Sequence, residues 1–221
     1  MIQKYHLLFV HGWGFSKHFW EPVSYLLNEF SKEYIDLGFV NNISILSNDV
    51  HDLSQQIPNT IAIGHSLGLL YLLKQFPRTF HHYIAINSFL RFSKAEDYLS
   101  GVPSRILHLM SKGIDKDVYS VLSQFYQQCQ YVGNVPNQMN ASALQIGLGT
   151  LETEDFRNVL PSITDRLTIV SSKSDPVVSS DMTIDSFKSH PIYWVKDNTH
   201  VLPISHPEIC AKIIKDVALK S

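Results

Sequence analysis

The residues best suited to covalent chemistry lie in Gly64-His65-Ser66-Leu67-Gly68, which follows the strand-like run Thr60 to Ile63 and opens the helix-like run Leu67 to Phe76. A serine with a glycine two positions away on either side can occupy a tight strand-to-helix turn, because the glycines let strand and helix approach closely. Its hydroxyl then projects beyond the sheet edge, near the positive end of the following helix. Such a hydroxyl is a weak nucleophile at neutral pH, so it needs a base within hydrogen-bond reach, and the base needs an acceptor that fixes its tautomer. For a nucleophile in this setting the partners follow in the order acid, then histidine. Asp175, in Ser174-Asp175-Pro176 after the run Leu167 to Ser171, is the candidate acid. His200, in Asp197-Asn198-Thr199-His200 after Ile192 to Val195, is the candidate base. All three fall beyond the C-terminal ends of predicted strands, where open α/β sheets bind their ligands.

Eleven histidines are present, so a histidine in a chosen place says little by itself. His206 is the nearest rival to His200, but its Ser-His-Pro-Glu setting suits a helix start. Asp197 competes with Asp175, yet it shares the loop of His200 instead of following the preceding strand. His65 is expected to pack the turn and not to act as a second base. Attack on a carbonyl creates an oxyanion that backbone N–H groups must meet. The first strand runs into His11-Gly12-Trp13-Gly14, whose glycines permit a sharp turn presenting the Trp13 amide, and the amide of Leu67 is the second candidate donor. A glycine-rich turn after a first strand also suggests dinucleotide binding, but HGWG lacks the G-x-G-x-x-G spacing.

These residues need a sheet to bring them together. Short apolar runs bounded by turn residues alternate with helical patterns, the signature of a mostly parallel sheet with helices on both faces. The predicted strands are Tyr5 to Val10, Tyr34 to Val40, Thr60 to Gly64, His82 to Asn87, Leu167 to Ser171 and Ile192 to Val195. A central buried helix spans Ser66 to Phe76 and ends at Pro77. A C-terminal helix starts at Pro207 and is expected to cap the sheet with Ile209, Cys210, Ile213, Ile214 and Val217. From about Phe92 to Leu160 the alternation breaks, which reads as a helical insertion. There Val118, Val121, Leu122, Phe125 and Cys129 share one helical face, followed by a Gly133 to Gln138 loop. No charged residue lies between Asp117 and Glu152. That neutral interval reads either as ordinary packing or as the underside of a lid over an apolar pocket.

Length and charge narrow the remaining classes. With 221 residues, 44% hydrophobic content and a formal charge of -2, the chain suits one compact domain without a basic field for nucleic acid. Cys129 and Cys210 form no disulfide framework and fit no metal-ligand spacing, so no metal is expected. The N-terminal stretch reads as a strand and not as a signal peptide, and no run reaches the roughly 18 apolar residues of a membrane span. A cytoplasmic monomer is the expectation.

With HGWG, GHSLG, SDP and the late histidine in this order, the chain resembles the α/β-hydrolase superfamily over essentially its whole length. HGWGFSKHFWEPV, GHSLGLL, IGLGTLETEDFR and HVLPISHPEIC are similar to the BioH-type carboxylesterases, which demethylate pimeloyl-acyl-carrier-protein methyl ester in biotin synthesis. The resemblance implies an α/β-hydrolase core over 1–91 and 161–221 and a helical lid over 92–160. It implies Ser66, Asp175 and His200 as a triad, Trp13 and Leu67 at the oxyanion and substrate site, and Phe125, Tyr126, Gln127, Gln128 and Cys129 on the lid wall. It implies no cofactor, a small-molecule or carrier-linked acyl ester as substrate, and acyl carrier protein as a partner. The chain departs from the pattern at Leu69, where a second glycine is common, and at His65, where a tryptophan is usual. The family grips its acidic carrier with lid arginines, whereas Val118 to Gln130 holds none; Lys112 and Lys116 precede it and could substitute as point charges. A thioesterase or lipase-like esterase with the same triad is the alternative chemistry, and a hydrolase fold kept as a binding module is the alternative class.

Overall fold

The computed structural model describes residues 5–40 and 59–220. Six strands, β1 (His6–Val10), β2 (Ser31–Ile35), β3 (Thr60–His65), β4 (His82–Ile86), β5 (Leu167–Ser172) and β6 (Ile192–Val195), form one sheet in the order β2-β1-β3-β4-β5-β6. Every pairing is parallel. Parallel neighbours need crossovers that cover the faces of the sheet, so central strands must be apolar on both sides. β3 accordingly is buried at all six residues, and β1 and β4 are buried after their first.

The helices are α1 (Glu21–Tyr25), α2 (Leu67–Gln75), α3 (Ser104–Gln128), α4 (Ala141–Thr153), α5 (Leu160–Ile163), α6 (Ser180–Phe187), α7 (Leu202–Ser205) and α8 (Pro207–Lys220). α2 is buried nearly all round, as its leucines require, and packs on β3 and β1. Between β4 and β5 the long elements are α3 and α4, which pack against each other. α3 breaks at Asp117 (φ −158°, ψ 90°). The Asp117 carboxylate accepts the Ser120 N–H at 3.0 Å and so caps the second half of the helix.

Two expectations shift. The second strand lies at Ser31–Ile35 instead of Tyr34 to Val40. Among the described residues β2 pairs with β1 alone and tolerates polar residues, while Leu37, Phe39 and Val40 are buried in a loop through Gly38 (φ 72°). Apolarity there serves packing outside the sheet, and Val40 forms only an isolated bridge with Met139. In α8 the buried residues are Cys210, Ala211, Ile214 and Val217, whereas Ile209 is exposed. The helix leans on α1 and α7, which turns its apolar stripe one position away from Ile209. No helix among the described residues is long and apolar enough to cross a membrane.

Candidate active site

Ser66 leaves β3 with φ 52° and ψ −122°, a backbone conformation that side chains other than glycine's rarely adopt. The flanking glycines make it possible. A β-carbon on Gly64 would lie 2.6 Å from the Leu69 nitrogen, and one on Gly68 would collide with the Val10 carbonyl. The turn is pinned by the Ser66 N–H donating to Ile86 O at 3.1 Å and by the Ser88 hydroxyl donating to Ser66 O at 2.7 Å. Leu67 opens α2, so its N–H belongs to those an α-helix leaves without an intrahelical acceptor.

Asp175 follows β5 and His200 follows β6. Their side chains are almost wholly buried, and His200 Nδ1 lies 2.8 Å from Asp175 Oδ2. The other carboxylate oxygen, Oδ1, accepts the N–H groups of Val177 at 2.8 Å and Val178 at 2.9 Å. A carboxylate can only accept, so Nδ1 carries the proton and Nε2 is left as an acceptor. That Nε2 is buried and bonds no described residue, Ser66 included. Hydrogen bonds of this kind are often formed only once substrate binds. The rivals Asp197 and His206 are paired with each other at 3.3 Å.

The three candidates converge at the C-terminal end of the sheet. His65, the neighbour of Ser66, bonds the main-chain oxygen of His200 at 2.8 Å. Phe125 lines the cavity containing Ser66, and its ring centroid lies 6.4 Å from that of His200. The cavity holds about 70 Å³ and is walled by Trp13, Phe92, Leu107, Met110, Leu148 and Leu151 among others. Its lining beyond Ser66 and Gln128 is apolar.

The oxyanion candidates differ in how they meet this cavity. The Trp13 side chain lines it, donates from Nε1 to Leu144 O at 2.8 Å, and meets Phe125 edge-on. Leu67 instead lines a separate groove with Leu37, Phe39 and Tyr71. The stretch Phe125 to Cys129 divides by helical geometry. Phe125 and Gln128 line the cavity, and Gln128 Nε2 donates to Pro176 O at 3.0 Å. Tyr126, Gln127 and Cys129 lie outside the lining. Tyr126 stacks on Phe15 and donates to Gly14 O at 2.7 Å, and Gln127 is exposed. The Cys129 carbonyl receives the His200 N–H at 3.1 Å, while burial drives the Cys129 thiol far above its usual pKa and leaves it inert.

Some supporting residues escaped sequence reasoning. Asn87, at φ 45°, accepts the Ser172 N–H on Oδ1 at 2.9 Å and donates from Nδ2 to Thr199 O at 3.0 Å, tying β5 to the His200 loop. Its position after an apolar strand signals only a turn. His11 donates from Nδ1 to Gly12 O at 2.9 Å and accepts the Leu37 N–H on Nε2 at 2.9 Å, which anchors the Trp13 turn. Among the described residues no group of three His, Cys, Asp or Glu side chains is arranged to hold a metal.

The comparisons agree with this architecture. The chain is 26% identical to the pimeloyl-[acyl-carrier protein] methyl ester esterase of Legionella pneumophila (strain Corby) over 92% of its own length and 90% of the relative's. The protein of the same name from Wigglesworthia glossinidia brevipalpis is also 26% identical, covering 95% of this chain and 92% of that one. An esterase from Exiguobacterium antarcticum superposes with a TM-score of 0.81 at 18% identity, over 100% of this chain and 94% of that one, which supports the fold. The sequence pattern of the Alpha/beta hydrolase family matches residues 7–213. By that match and by its parallel sheet, the chain belongs to the α/β-hydrolase family.

Proposed function

We propose that this chain is a serine carboxylesterase working through an acyl-enzyme. His200 Nε2 takes the Ser66 proton as Oγ attacks the ester carbonyl, and the amides of Trp13 and Leu67 meet the oxyanion. His200 then protonates the departing alkoxide. Water, deprotonated by the same nitrogen, attacks the acyl-serine, and His200 returns that proton to Ser66 Oγ as its bond to the acyl carbon breaks and the acid leaves. Asp175 holds the imidazole in its tautomer and steadies the imidazolium. The observation that carries this reading is the buried 2.8 Å Asp175–His200 pair beside a serine held at positive φ. The test is hydrolysis of short p-nitrophenyl esters by the wild type and Ser66→Ala. Loss of activity in the variant is expected, and equal rates would remove Ser66 from the mechanism.

The physiological substrate in this proposal is the methyl ester of a medium-length acyl chain carried on acyl carrier protein. The names of the relatives support it, as does the apolar cavity. Residues 92–160 act as the lid. A cavity of about 70 Å³ is far below the roughly 300–1,000 Å³ of sites for drug-sized ligands, so α3 and α4 must part to admit such a chain. Past the break at Asp117 the helix holds no arginine, as read from the sequence, whereas the half of α3 before the break carries exposed Arg105. With Lys112 and Lys116 it forms an exposed basic stripe beside Ile106 and Met110 of the cavity wall. An acidic carrier would meet this stripe. Growth of a strain blocked in pimeloyl precursor formation, restored by this chain, is the expected outcome, and failure despite good expression counts against the carrier-linked ester.

A further inference from the structure

We propose that His65 is a positioning residue for the base: by donating its Nε2–H to the main-chain oxygen of His200, it fixes the imidazole that activates Ser66. The inference rests on the proposed triad and assigns His65 no contact with substrate.

The hydrogen-bond pattern fixes the state of the His65 ring. A carbonyl oxygen only accepts, so the 2.8 Å contact requires the proton on Nε2. In the neutral ring Nδ1 is then an acceptor. It is buried without a hydrogen-bond partner among the described residues and packs against Gly12, where a β-carbon would lie 2.7 Å from it. Leaving such an atom unsatisfied is unfavourable, and an apolar side chain filling the same space would avoid that penalty. Packing alone therefore does not account for a histidine here. What the imidazole adds is the single donor aimed at His200 O.

That donor completes a clamp on the base loop. The carbonyl of Thr199 is held by Asn87, the N–H of His200 by the Cys129 carbonyl, and the carbonyl of His200 by His65. Consecutive backbone groups on either side of the imidazole are thereby tied to β4, to the end of α3 and to the turn of the nucleophile. Through Gly12 the same ring abuts the turn that presents Trp13.

The surroundings keep His65 neutral. Phe19 lies against it at 4.4 Å between centroids, and Phe15 and Trp20 present edges. The titratable groups facing it are His200, with ring centroids 4.8 Å apart, and His11. Burial first, and then the neighbouring His200 charge, hold its pKa well below the usual histidine value. A neutral neighbour lets His200 become imidazolium without a second cation beside it.

The test compares His65→Phe, which keeps a ring and loses the donor, with His65→Gln, whose Nε2 amide reaches about as far as the imidazole. On p-nitrophenyl butyrate, His65→Phe is expected to lose about 10- to 100-fold in kcat with KM within about twofold, the scale of a displaced catalytic group. His65→Gln should recover most of that loss. Equal activity of His65→Phe and wild type overturns the proposal, and so does an equal fall in both variants. Nitrogen NMR of the wild-type imidazoles reads the same point without a variant: the neutral Nε2–H tautomer of His65 is expected, and an Nδ1–H tautomer overturns it. Ser66→Ala run alongside separates the two readings, because an active Ser66→Ala defeats the triad itself.

Discussion

Replacing Asp175 by asparagine tests the proposed mechanism at its most constrained atom. Asp175 Oδ1 accepts two backbone N–H groups, from Val177 and Val178, and Oδ2 faces His200 Nδ1. Asparagine has one acceptor oxygen. If that oxygen keeps the two N–H groups, the amide NH2 must face His200. The flipped amide would set NH2 against both donors, at about 1–3 kcal/mol for each unsatisfied group, so the first orientation is favoured by roughly 2–6 kcal/mol. An NH2 donor facing Nδ1 forces the histidine proton onto Nε2, which then cannot accept the serine proton. This tautomer trap lowers kcat by about 10⁴ in a serine hydrolase, or roughly 5.5 kcal/mol of barrier. Steady-state hydrolysis of p-nitrophenyl butyrate, with the rate of fluorophosphonate labelling as a second readout, measures it. Asp197→Asn is the control, since Asp197 pairs with His206 instead, and it should remain near wild type. A folded Asp175→Asn protein within tenfold of wild type refutes the assignment of Asp175 as the orienting acid.

Leu151 is buried on the cavity wall, and Leu151→Ala should raise the kcat/KM ratio of octanoyl to acetyl p-nitrophenyl esters by about tenfold, the lower end of what a methylene-scale change in a pocket is worth. The same change should lower stability by about 2–5 kcal/mol in urea melts, and an unchanged ester ratio would mean that the acyl chain lies elsewhere. His82 is half-buried, and burial, followed by the charge of His81, lowers its pKa from 6.5 to about 4. Between those values the unfolded chain binds a proton that the native state refuses, so stability falls as pH drops from 6.5 towards 4. Allowing for the solvent that reaches the ring, the loss is about 1–2 kcal/mol. His82→Asn should flatten that part of the urea-stability profile between pH 7 and 4.5, and identical slopes would contradict the assignment.

The parts of the site legible in the sequence are those fixed by local sterics. Gly64 and Gly68 are required because no β-carbon fits beside Leu69 N or Val10 O, and that need is written in two residue letters. Asp175 and His200 could be placed because turn residues follow apolar runs, and parallel strands all end on one side. Apolar runs are less informative about pairing. Tyr34 to Val40 reads as a strand, but beyond Ile35 the buried Leu37, Phe39 and Val40 project from a loop, and the ladder with β1 is made by the more polar Ser31–Ile35. Long-range tethers left no signal. Nothing in the letters around Asn87, Ser88 or His65 says that these side chains reach Thr199, Ser66 and His200, because each bond is made across the sheet and not along the chain. Ile209 fails for a related reason: periodicity locates a stripe on α8, while contact with α1 and α7 decides which edge of it is covered.

Those cross-sheet tethers also explain how a strained serine is kept in place. Ser66 and Asn87 both hold positive φ at the ends of neighbouring strands, and each such position is unfavourable by about 1–3 kcal/mol for a residue other than glycine. Ser66 is held by its own N–H on Ile86 O and by Ser88, both from the end of β4. Asn87 is held in turn by its N–H on Val170 O and by its side chain on Ser172, both from β5. Its remaining donor goes to Thr199, next to His200. Support therefore passes from strand to strand, β3 to β4 to β5, and ends on the loop of the base. Each link is a hydrogen bond between two backbone groups or between backbone and a short side chain, with few torsions left to vary. Nucleophile and base are thus located by one lateral network, whose rigidity comes from the sheet and whose strain falls on the two residues that turn the chain toward the cavity.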